Sequence, residues 1–238
     1  MKLENLTEKS LIVLNAGYKT KEEALKDLIK KLYEASKISD EQGFFFFFLE
    51  REKTGATNVG MKLAIPHGKS SFVKSACFAA ATVSKPIKDW EKIEEDAEDA
   101  ELIFLIAIPK DEANTTHLDI LTKLTTKLSD EELVDKLLQA KTESEFLNLL
   151  SEENKKEETV NFVSDKLILG ITACPAGIAH TYMAAEALEK AGRKLGIKVR
   201  TEKQGANGIE DAFTNEELNK ASAVIFAAEI AVKNKERF

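Results

Sequence analysis

The sequence lacks several features that mark special classes of protein. It has only two cysteines, four prolines and one tryptophan in 238 residues. The two cysteines, Cys77 and Cys174, lie far apart and cannot provide the disulfide framework of a small secreted domain. Two cysteines and three histidines with no close pairing predict no metal site, and we expect no cofactor.

Long apolar runs and basic clusters are also absent. The longest apolar stretches, residues 102–109 and 221–232, fall short of the roughly 18 residues that cross a bilayer. The first residues lack the apolar core of a signal peptide, so we expect the chain to lie in the cytoplasm. A net charge of −7, without a basic cluster among aromatic residues, argues against nucleic-acid binding.

A charge-rich segment divides the chain into two units. Residues 151–165 are mostly charged or polar and have no periodic apolar face, which favours a solvated linker. Residues 1–150 are net acidic, whereas residues 166–238 are net basic. A chain of this length corresponds to one or two domains. We therefore predict an N-terminal domain over 1–150, an acidic linker over 151–165 and a C-terminal domain over 166–238.

The first unit alternates strand and helix signals, which predicts an α/β domain. Thr20 and Glu23 form a capping-box pair before a helix whose apolar residues recur every three or four positions. The five phenylalanines of Phe44–Phe48 fall in the second helix, where the first, second and fifth can face the core. We expect strands at residues 10–14, 64–66, 78–83 and 102–108, and helices at residues 21–36, 41–51, 116–127, 130–139 and 143–150.

The second unit has the element order β-α-β-α-β. Its first helix is long, and Gly196 is a suitable C-cap for it. The order predicts a parallel sheet with helices packed on it. We expect strands at residues 166–172, 197–201 and 223–228, and helices at residues 179–195 and 215–221.

Cys174 stands between the first strand and the first helix of this second unit. Backbone N–H groups at a helix N-terminus, together with the helix dipole, attract anions and favour a thiolate. A thiolate in such a position can accept a phosphoryl group. Gly177 allows the backbone to approach a ligand closely, and the Thr181 hydroxyl can donate to a phosphate oxygen.

Alternative interpretations of this loop remain open. Cys174 could be a small buried hydrophobic residue without chemistry. A cysteine-dependent phosphatase would need an arginine six residues after the cysteine, but His180 occupies that position. Passing a phosphoryl group on is therefore favoured over hydrolysing it. His180 itself could contact the anion or face solvent.

A second candidate site surrounds His67. Residues 54–60 form a polar, glycine-bounded loop of the kind that binds anions, and we count Thr57 among the phosphate-stabilising residues. His67 is expected to close the short strand before it, and a neutral imidazole is a competent phosphoryl nucleophile. Arg51 is a suitable phosphate partner, and His117 could stabilise the added charge. Each of these residues could also be purely structural.

The motifs at both sites resemble those of one family. Residues 51–70, with an RE-K-T-G-x-T core and an I-P-H-G-K-S ending, resemble the enzyme IIA domain of the fructose–mannitol class of sugar phosphotransferase systems. The H-L-D-I-L segment at 117–121 resembles the second histidine segment of that family. Residues 172–186, T-A-C-P-x-G-I-A-H-T-x-M-A-A-E, closely resemble the fructose-type enzyme IIB loop.

This resemblance implies a phosphoryl relay. The phosphocarrier protein HPr would phosphorylate His67, which would pass the group to Cys174 and then to a sugar held by a membrane IIC domain. Arg51 and His117 would stabilise the phosphohistidine. Fructose is the favoured sugar, with mannosylglycerate or another hexose still open. The chain would then work at the inner face of the cell membrane, held there by IIC.

The resemblance also implies a fold and an alternative function. The fold would be α/β with two domains, an N-terminal IIA-type mixed sheet flanked by helices and a C-terminal IIB-type parallel sheet. Because the family's IIB domain usually extends further, we expect the second domain to be truncated and IIC to be absent. The alternative is a regulatory phosphorelay protein that controls a partner by its phosphorylation state. Cys174 favours transport, since a regulatory IIA-like protein needs no second acceptor.

Overall fold

The computed structural model describes residues 3–93, 95–111, 114–151, 164–174, 179–205 and 208–238. Contacts within the chain separate two compact units, one of residues 1–117 with 130–153 and one of residues 118–129 with 154–238. Most of the expected linker, residues 152–163, lies outside the described residues. Each unit contains one β-sheet, so the α/β class expected from the sequence is confirmed.

The first unit is built on a mixed sheet of five strands. Its strand order is β1-β4-β5-β2, and β3 also pairs with β5. The sheet is mixed because β4 and β5 are antiparallel, whereas β1 runs parallel to β4 and both β2 and β3 run parallel to β5. The strands are β1 (Ile12–Ala16), β2 (Leu63–Ala64), β3 (His67–Ser70), β4 (Cys77–Ile87) and β5 (Ala100–Pro109).

The strand before His67 is interrupted, and this corrects the sequence prediction. Leu63 pairs with Leu102 and His67 with Ile106, so β2 and β3 follow β5 in one register on either side of a two-residue break. Pro66, in the break, has no N–H to donate, but its carbonyl still accepts from the Ile106 N–H at 2.8 Å. His67 therefore opens β3, whereas we expected it to close a strand over 64–66.

The first helix begins where its predicted cap places it. Thr20 accepts a hydrogen bond from the Glu23 N–H at 3.2 Å, as expected for an N-cap. The Glu23 carboxylate instead accepts from the N–H of Lys19, one residue before the cap, at 2.7 Å. The helices up to residue 151 are α1 (Lys21–Glu34), α2 (Glu41–Glu52), α3 (Asn114–Leu128), α4 (Glu131–Gln139) and α5 (Glu143–Ser151). Most of α3, from residue 118 on, belongs to the second unit by its contacts.

The phenylalanine run lets α2 pack directly against β3. Phe44 and Phe48 are fully buried, as predicted, whereas Phe46 is 64% exposed. We expected Phe47 to lie away from the core, but it is half-buried, with its ring over Gly68. A Cβ at Gly68 would lie only 2.7 Å from Phe47 Cε1. Glycine at this position thus allows the end of α2, which carries Arg51, to approach the strand that carries His67.

The second unit has a four-stranded sheet in the order β8-β7-β6-β9. The central strand β6 is parallel to both β7 and β9, as predicted, but the short strand β8 is antiparallel to β7 and was not predicted. Gly196, at φ +66°, has the left-handed conformation expected of a C-cap. The elements are β6 (Ser164–Ala173), α6 (Ala179–Leu195), β7 (Ile197–Gly205), β8 (Gly208–Glu210), α7 (Asn215–Lys220) and β9 (Ala221–Ala228).

A buried carboxylate anchors the last residues to this sheet. Glu202, in β7, is fully buried and accepts two hydrogen bonds from the Arg237 guanidinium, at 2.7 and 3.1 Å. It also accepts from Gln204 Nε2 and from the Phe213 N–H. Burial opposes ionisation of Glu202, but these hydrogen bonds outweigh it and hold its pKa below the ordinary value.

We expect Arg237→Ala to destabilise the second unit by about 2 kcal/mol, because Glu202 is left buried without its cation. Hydrogen exchange of the β7 amides measures this loss for the second unit alone.

This loss should depend on pH. Since the pKa of Glu202 is depressed, the stability that its ionised form contributes is present at neutral pH and disappears as the pH falls through its folded-state pKa. The effect of Arg237→Ala should therefore shrink in acid. Arg193→Ala, which removes a surface pair with Glu186, should change little at either pH.

Candidate functional site

His67 presents one ring nitrogen as a nucleophile. Its Nδ1 lies 2.8 Å from the Ile65 carbonyl oxygen, which can only accept, so the proton is on Nδ1. Its Nε2 lies 2.9 Å from Nη2 of Arg51, which can only donate, so Nε2 carries the lone pair. Both contacts agree with a single neutral tautomer. The lone pair of Nε2 therefore faces a guanidinium group.

Arg51 is held in place from two sides. It lies in the last turn of α2, and its Nη1 donates to the Gly55 carbonyl at 3.0 Å, which ties it to the polar loop after the helix. The same Nη1 lies 3.5 Å from Oε1 of Glu52. Burial lowers the pKa of Arg51, and the Glu52 charge opposes this, so the guanidinium stays charged. An anion on His67 would meet this cation directly.

Glu52 is a site residue that our sequence reasoning missed. Its side chain is only 2% exposed, and it lies between Arg51 and Lys21, whose Nζ is 3.8 Å from Oε2. Oε2 also accepts a hydrogen bond from the Thr57 hydroxyl at 2.7 Å. The sequence offers only an acidic residue after an arginine at a helix end, which is a common surface pattern. Its burial follows from tertiary packing.

Thr57 lies behind the Arg51–His67 pair. It is 2% exposed, and its hydroxyl donates to Glu52 while it accepts from Nε1 of Trp90 at 2.9 Å. Thr57, which we counted among the phosphate-stabilising residues, thus has its hydroxyl engaged on both sides. In this arrangement Thr57 supports Glu52, while the Arg51 guanidinium contacts Nε2 of His67.

Two other predicted site residues cannot be placed. The backbone of His117 lies in α3, but its side chain is outside the described part of the chain. Gly177 lies outside the described residues altogether. Their expected roles at the phosphohistidine and at the cysteine loop remain predictions.

Cys174 comes directly after β6 and is 4% exposed. The Thr181 hydroxyl, in the first turn of α6, lies 3.2 Å from Sγ and can donate to it. Thr181 is itself 1% exposed, so this contact is shielded from water. His180 lies beside Glu229, with Nδ1 3.5 Å from Oε1, so its described contact is with a carboxyl group. The segment containing Glu229 is fixed by its N–H, which donates to the Ala173 carbonyl at 2.9 Å.

The two cysteines differ in their surroundings. Cys77 lies in β4, and burial raises its pKa to about 12, which makes it inert near neutral pH. Cys174 is at a strand-to-helix junction and has a hydroxyl donor at its sulfur. Such a junction at the end of a parallel strand is where α/β sheets bind ligands. Of the two thiols, only Cys174 has surroundings suited to accepting an anionic group.

Within the described ranges, no cluster of histidine, cysteine and acidic side chains could hold a metal ion. No helix among the same residues combines the length and the apolar character needed to span a bilayer.

Comparison with known families covers nearly the whole chain. A family model described as phosphoenolpyruvate-dependent sugar phosphotransferase system (PTS), EIIA 2, matches residues 5–153. A model described as PTS system, lactose/cellobiose-specific IIB subunit, matches residues 169–238. The first match contains the site around His67, and the second contains Cys174.

Curated relatives and solved structures agree with these matches. All of this chain aligns with 36% of the PTS 2-O-alpha-mannosyl-D-glycerate-specific EIIABC component of Escherichia coli (strain K12), at 48% identity over 238 residues. All of it also aligns with 38% of the PTS fructose-specific EIIABC component of Bacillus subtilis (strain 168), at 37% identity over 246 residues. The chain thus spans little more than a third of the length of these relatives.

The crystal structure of the nitrogen regulatory protein IIA-Ntr from Neisseria meningitidis is similar in fold. The comparison covers 62% of this chain and 97% of that protein, at 27% identity and a TM-score of 0.56. The resemblance predicted from the two sequence motifs is therefore confirmed. The chain belongs to the sugar phosphotransferase systems, as a member of the EIIA 2 family followed by a IIB-type segment.

Proposed function

We propose that this chain relays a phosphoryl group from HPr to a sugar, first on Nε2 of His67 and then on Sγ of Cys174. The observation that carries this proposal is the pairing of the two ring nitrogens of His67. The Ile65 carbonyl holds the proton on Nδ1, which leaves the Nε2 lone pair 2.9 Å from Nη2 of Arg51. A phosphoryl group on Nε2 would have a fixed cation beside its oxygens.

Each proposed step exchanges one phosphorus bond for another. The P–N bond of phosphorylated HPr breaks as the bond from phosphorus to Nε2 of His67 forms. The Cys174 thiol then loses its proton to solvent, and its thiolate attacks phosphorus, so that His67 leaves as neutral imidazole with its Nδ1 proton in place. A sugar hydroxyl finally displaces the thiolate, and the hydroxyl proton passes to solvent. The protein mainly positions groups and stabilises charge.

The surroundings of Cys174 support its role as the second acceptor. The Thr181 hydroxyl donates towards Sγ at the start of α6, and the N-terminus of a helix favours negative charge. The predicted contributions of Gly177 to this loop, and of His117 to the phosphohistidine, complete the proposal. In this proposal Thr57 holds Glu52 by its hydrogen bond and, through Glu52, supports Arg51.

The sugar is either 2-O-α-mannosyl-D-glycerate or fructose, since the two relatives are named for these substrates. The higher identity over the whole chain supports mannosylglycerate, whereas the cysteine loop led us to expect fructose. Both relatives are named EIIABC components, which supports a membrane IIC domain as the partner that holds the sugar. The chain would then act at the inner face of the membrane.

A regulatory phosphorelay protein is the second candidate, because the first unit resembles a IIA-Ntr protein. That resemblance covers 62% of this chain. Phosphorylation of Cys174 distinguishes the two functions. A regulator that reads only the state of His67 would carry no phosphate on Cys174.

The deciding experiment supplies phosphoenolpyruvate, the kinase of HPr and HPr to the wild-type chain. Mass spectrometry should find an acid-labile phosphate on His67 and a phosphothiol on Cys174. A label on His67 alone would favour the regulatory function, and no label would overturn the relay. Adding membranes that contain a IIC domain, with each sugar in turn, identifies the substrate by which sugar phosphate forms.

A further inference from the structure

Glu52 is a buried carboxylate with a different partner at each oxygen. Oε1 lies 3.5 Å from Nη1 of Arg51, and Oε2 accepts from the Thr57 hydroxyl at 2.7 Å. Burial raises the pKa of Glu52, while Thr57, Arg51 and Lys21 oppose that rise. A carboxylate is costly to bury, so its place beside the phosphate-binding arginine calls for a function.

The position of Glu52 fixes the direction in which Arg51 points. The Gly55 carbonyl and Glu52 both face Nη1, which leaves Nη2 directed at Nε2 of His67. When a phosphoryl group occupies Nε2, that lone pair is no longer available to Arg51, and the phosphoryl oxygens become its new acceptors. The contacts on Nη1 keep the guanidinium in place through this exchange, so little reorganisation is needed.

A continuous chain of contacts leads from Arg51 to Trp90. Thr57 donates to Glu52 and accepts from the indole Nε1 of Trp90 at 2.9 Å. Trp90 is the only tryptophan in the sequence and is 1% exposed. Lys21 makes a second connection, because it lies 3.8 Å from Glu52 and also pairs with Glu91, the residue after Trp90. A change in charge at His67 thus acts on groups that contact the indole.

We propose that Glu52 is a positioning residue that orients Arg51 towards His67, and that the Glu52–Thr57–Trp90 chain makes Trp90 emission report the phosphoryl group on His67. This inference rests on the proposed function of His67. Glu52 itself does not touch the phosphoryl group. It acts through Arg51, and it is held by Thr57.

The test compares Glu52→Gln with Glu50→Gln. Glu50 is on the same helix but pairs with Lys53 at the surface, so its variant is a matched control. Phosphorylation uses HPr in one arm and phosphoramidate, which needs no protein partner, in the other. In wild type and Glu50→Gln, phosphorylation should change the Trp90 emission. In Glu52→Gln, His67 should be phosphorylated about tenfold more slowly and the emission change should be lost.

Two further variants test the inference even if Glu52→Gln folds poorly. Thr57→Val keeps the charge of Glu52 but breaks the contact with Trp90, so it should lose the emission change. His67→Ala should show no emission change with either donor. If folded Glu52→Gln matches wild type in both rate and emission, the inference is wrong while the relay stands. If phosphoramidate gives the expected pattern but HPr labels nothing, the relay is wrong and the inference stands; a wild type labelled by neither donor overturns both.

Discussion

A His67→Ala protein should take up no phosphate from HPr, on either His67 or Cys174. The alanine removes the Nε2 lone pair that faces Arg51, and the relay offers no other entry for the phosphoryl group. We expect the total label to fall by about a thousandfold or more, as when an essential nucleophile is removed from an enzyme. The measurement is mass spectrometry of both sites after incubation with HPr, its kinase and phosphoenolpyruvate.

His180→Ala provides the matched control for this variant. His180 lies beside Glu229 in the second unit and takes no part in the proposed uptake step. The His180→Ala protein should therefore carry the wild-type amount of label on His67. A phosphothiol on Cys174 in His67→Ala would contradict the proposed order, because it would mean that HPr phosphorylates the cysteine directly.

A Cys174→Ser protein should keep its phosphate on His67 and fail to pass it on. A serine hydroxyl is a much weaker nucleophile than a thiol near neutral pH, because so little of it is ionised. Sugar phosphorylation in the presence of a IIC domain should fall by about a thousandfold or more. The label on His67 should persist, since its acceptor is missing. Sugar phosphate and His67 label are measured in the same reaction.

Cys77→Ser separates this effect from a general sensitivity to thiol replacement. Cys77 is buried in β4 with its pKa raised to about 12, so it has no place in the chemistry. Its serine variant should lose some stability, because a hydroxyl replaces a buried thiol, and should transfer phosphate as the wild type does. Sugar phosphate formed by Cys174→Ser at the wild-type rate would show that Cys174 is not the second acceptor.

Local signals in the sequence predicted many of the elements correctly. The cap at Thr20 and the C-cap at Gly196 depend on neighbouring residues only, and both are found in the structure. Helix α6 has the predicted bounds, Ala179–Leu195, because its apolar residues recur with the period of a helix. Strand β6, which ends directly before Cys174, likewise contains the predicted residues 166–172.

Features that depend on distant residues could not be predicted. The break between β2 and β3 is defined by the pairing of both strands with β5, which is distant in sequence. We therefore predicted His67 at the end of a strand, whereas it begins one. The antiparallel strand β8 is three residues long and has no pattern of its own. Phe47 is half-buried because Gly68 has no side chain in its way, and Glu52 is buried by packing among Thr57 and Lys21.

The most direct test of the relay is to find which nitrogen of His67 carries the phosphate. Phosphorylated Cys174→Ser should trap the group on this histidine, and ³¹P and ¹⁵N NMR distinguish the two ring positions. Because the Ile65 carbonyl holds the proton on Nδ1 and Arg51 faces Nε2, the phosphate should be on Nε2. Phosphate on Nδ1, or on any residue other than His67, would contradict the account.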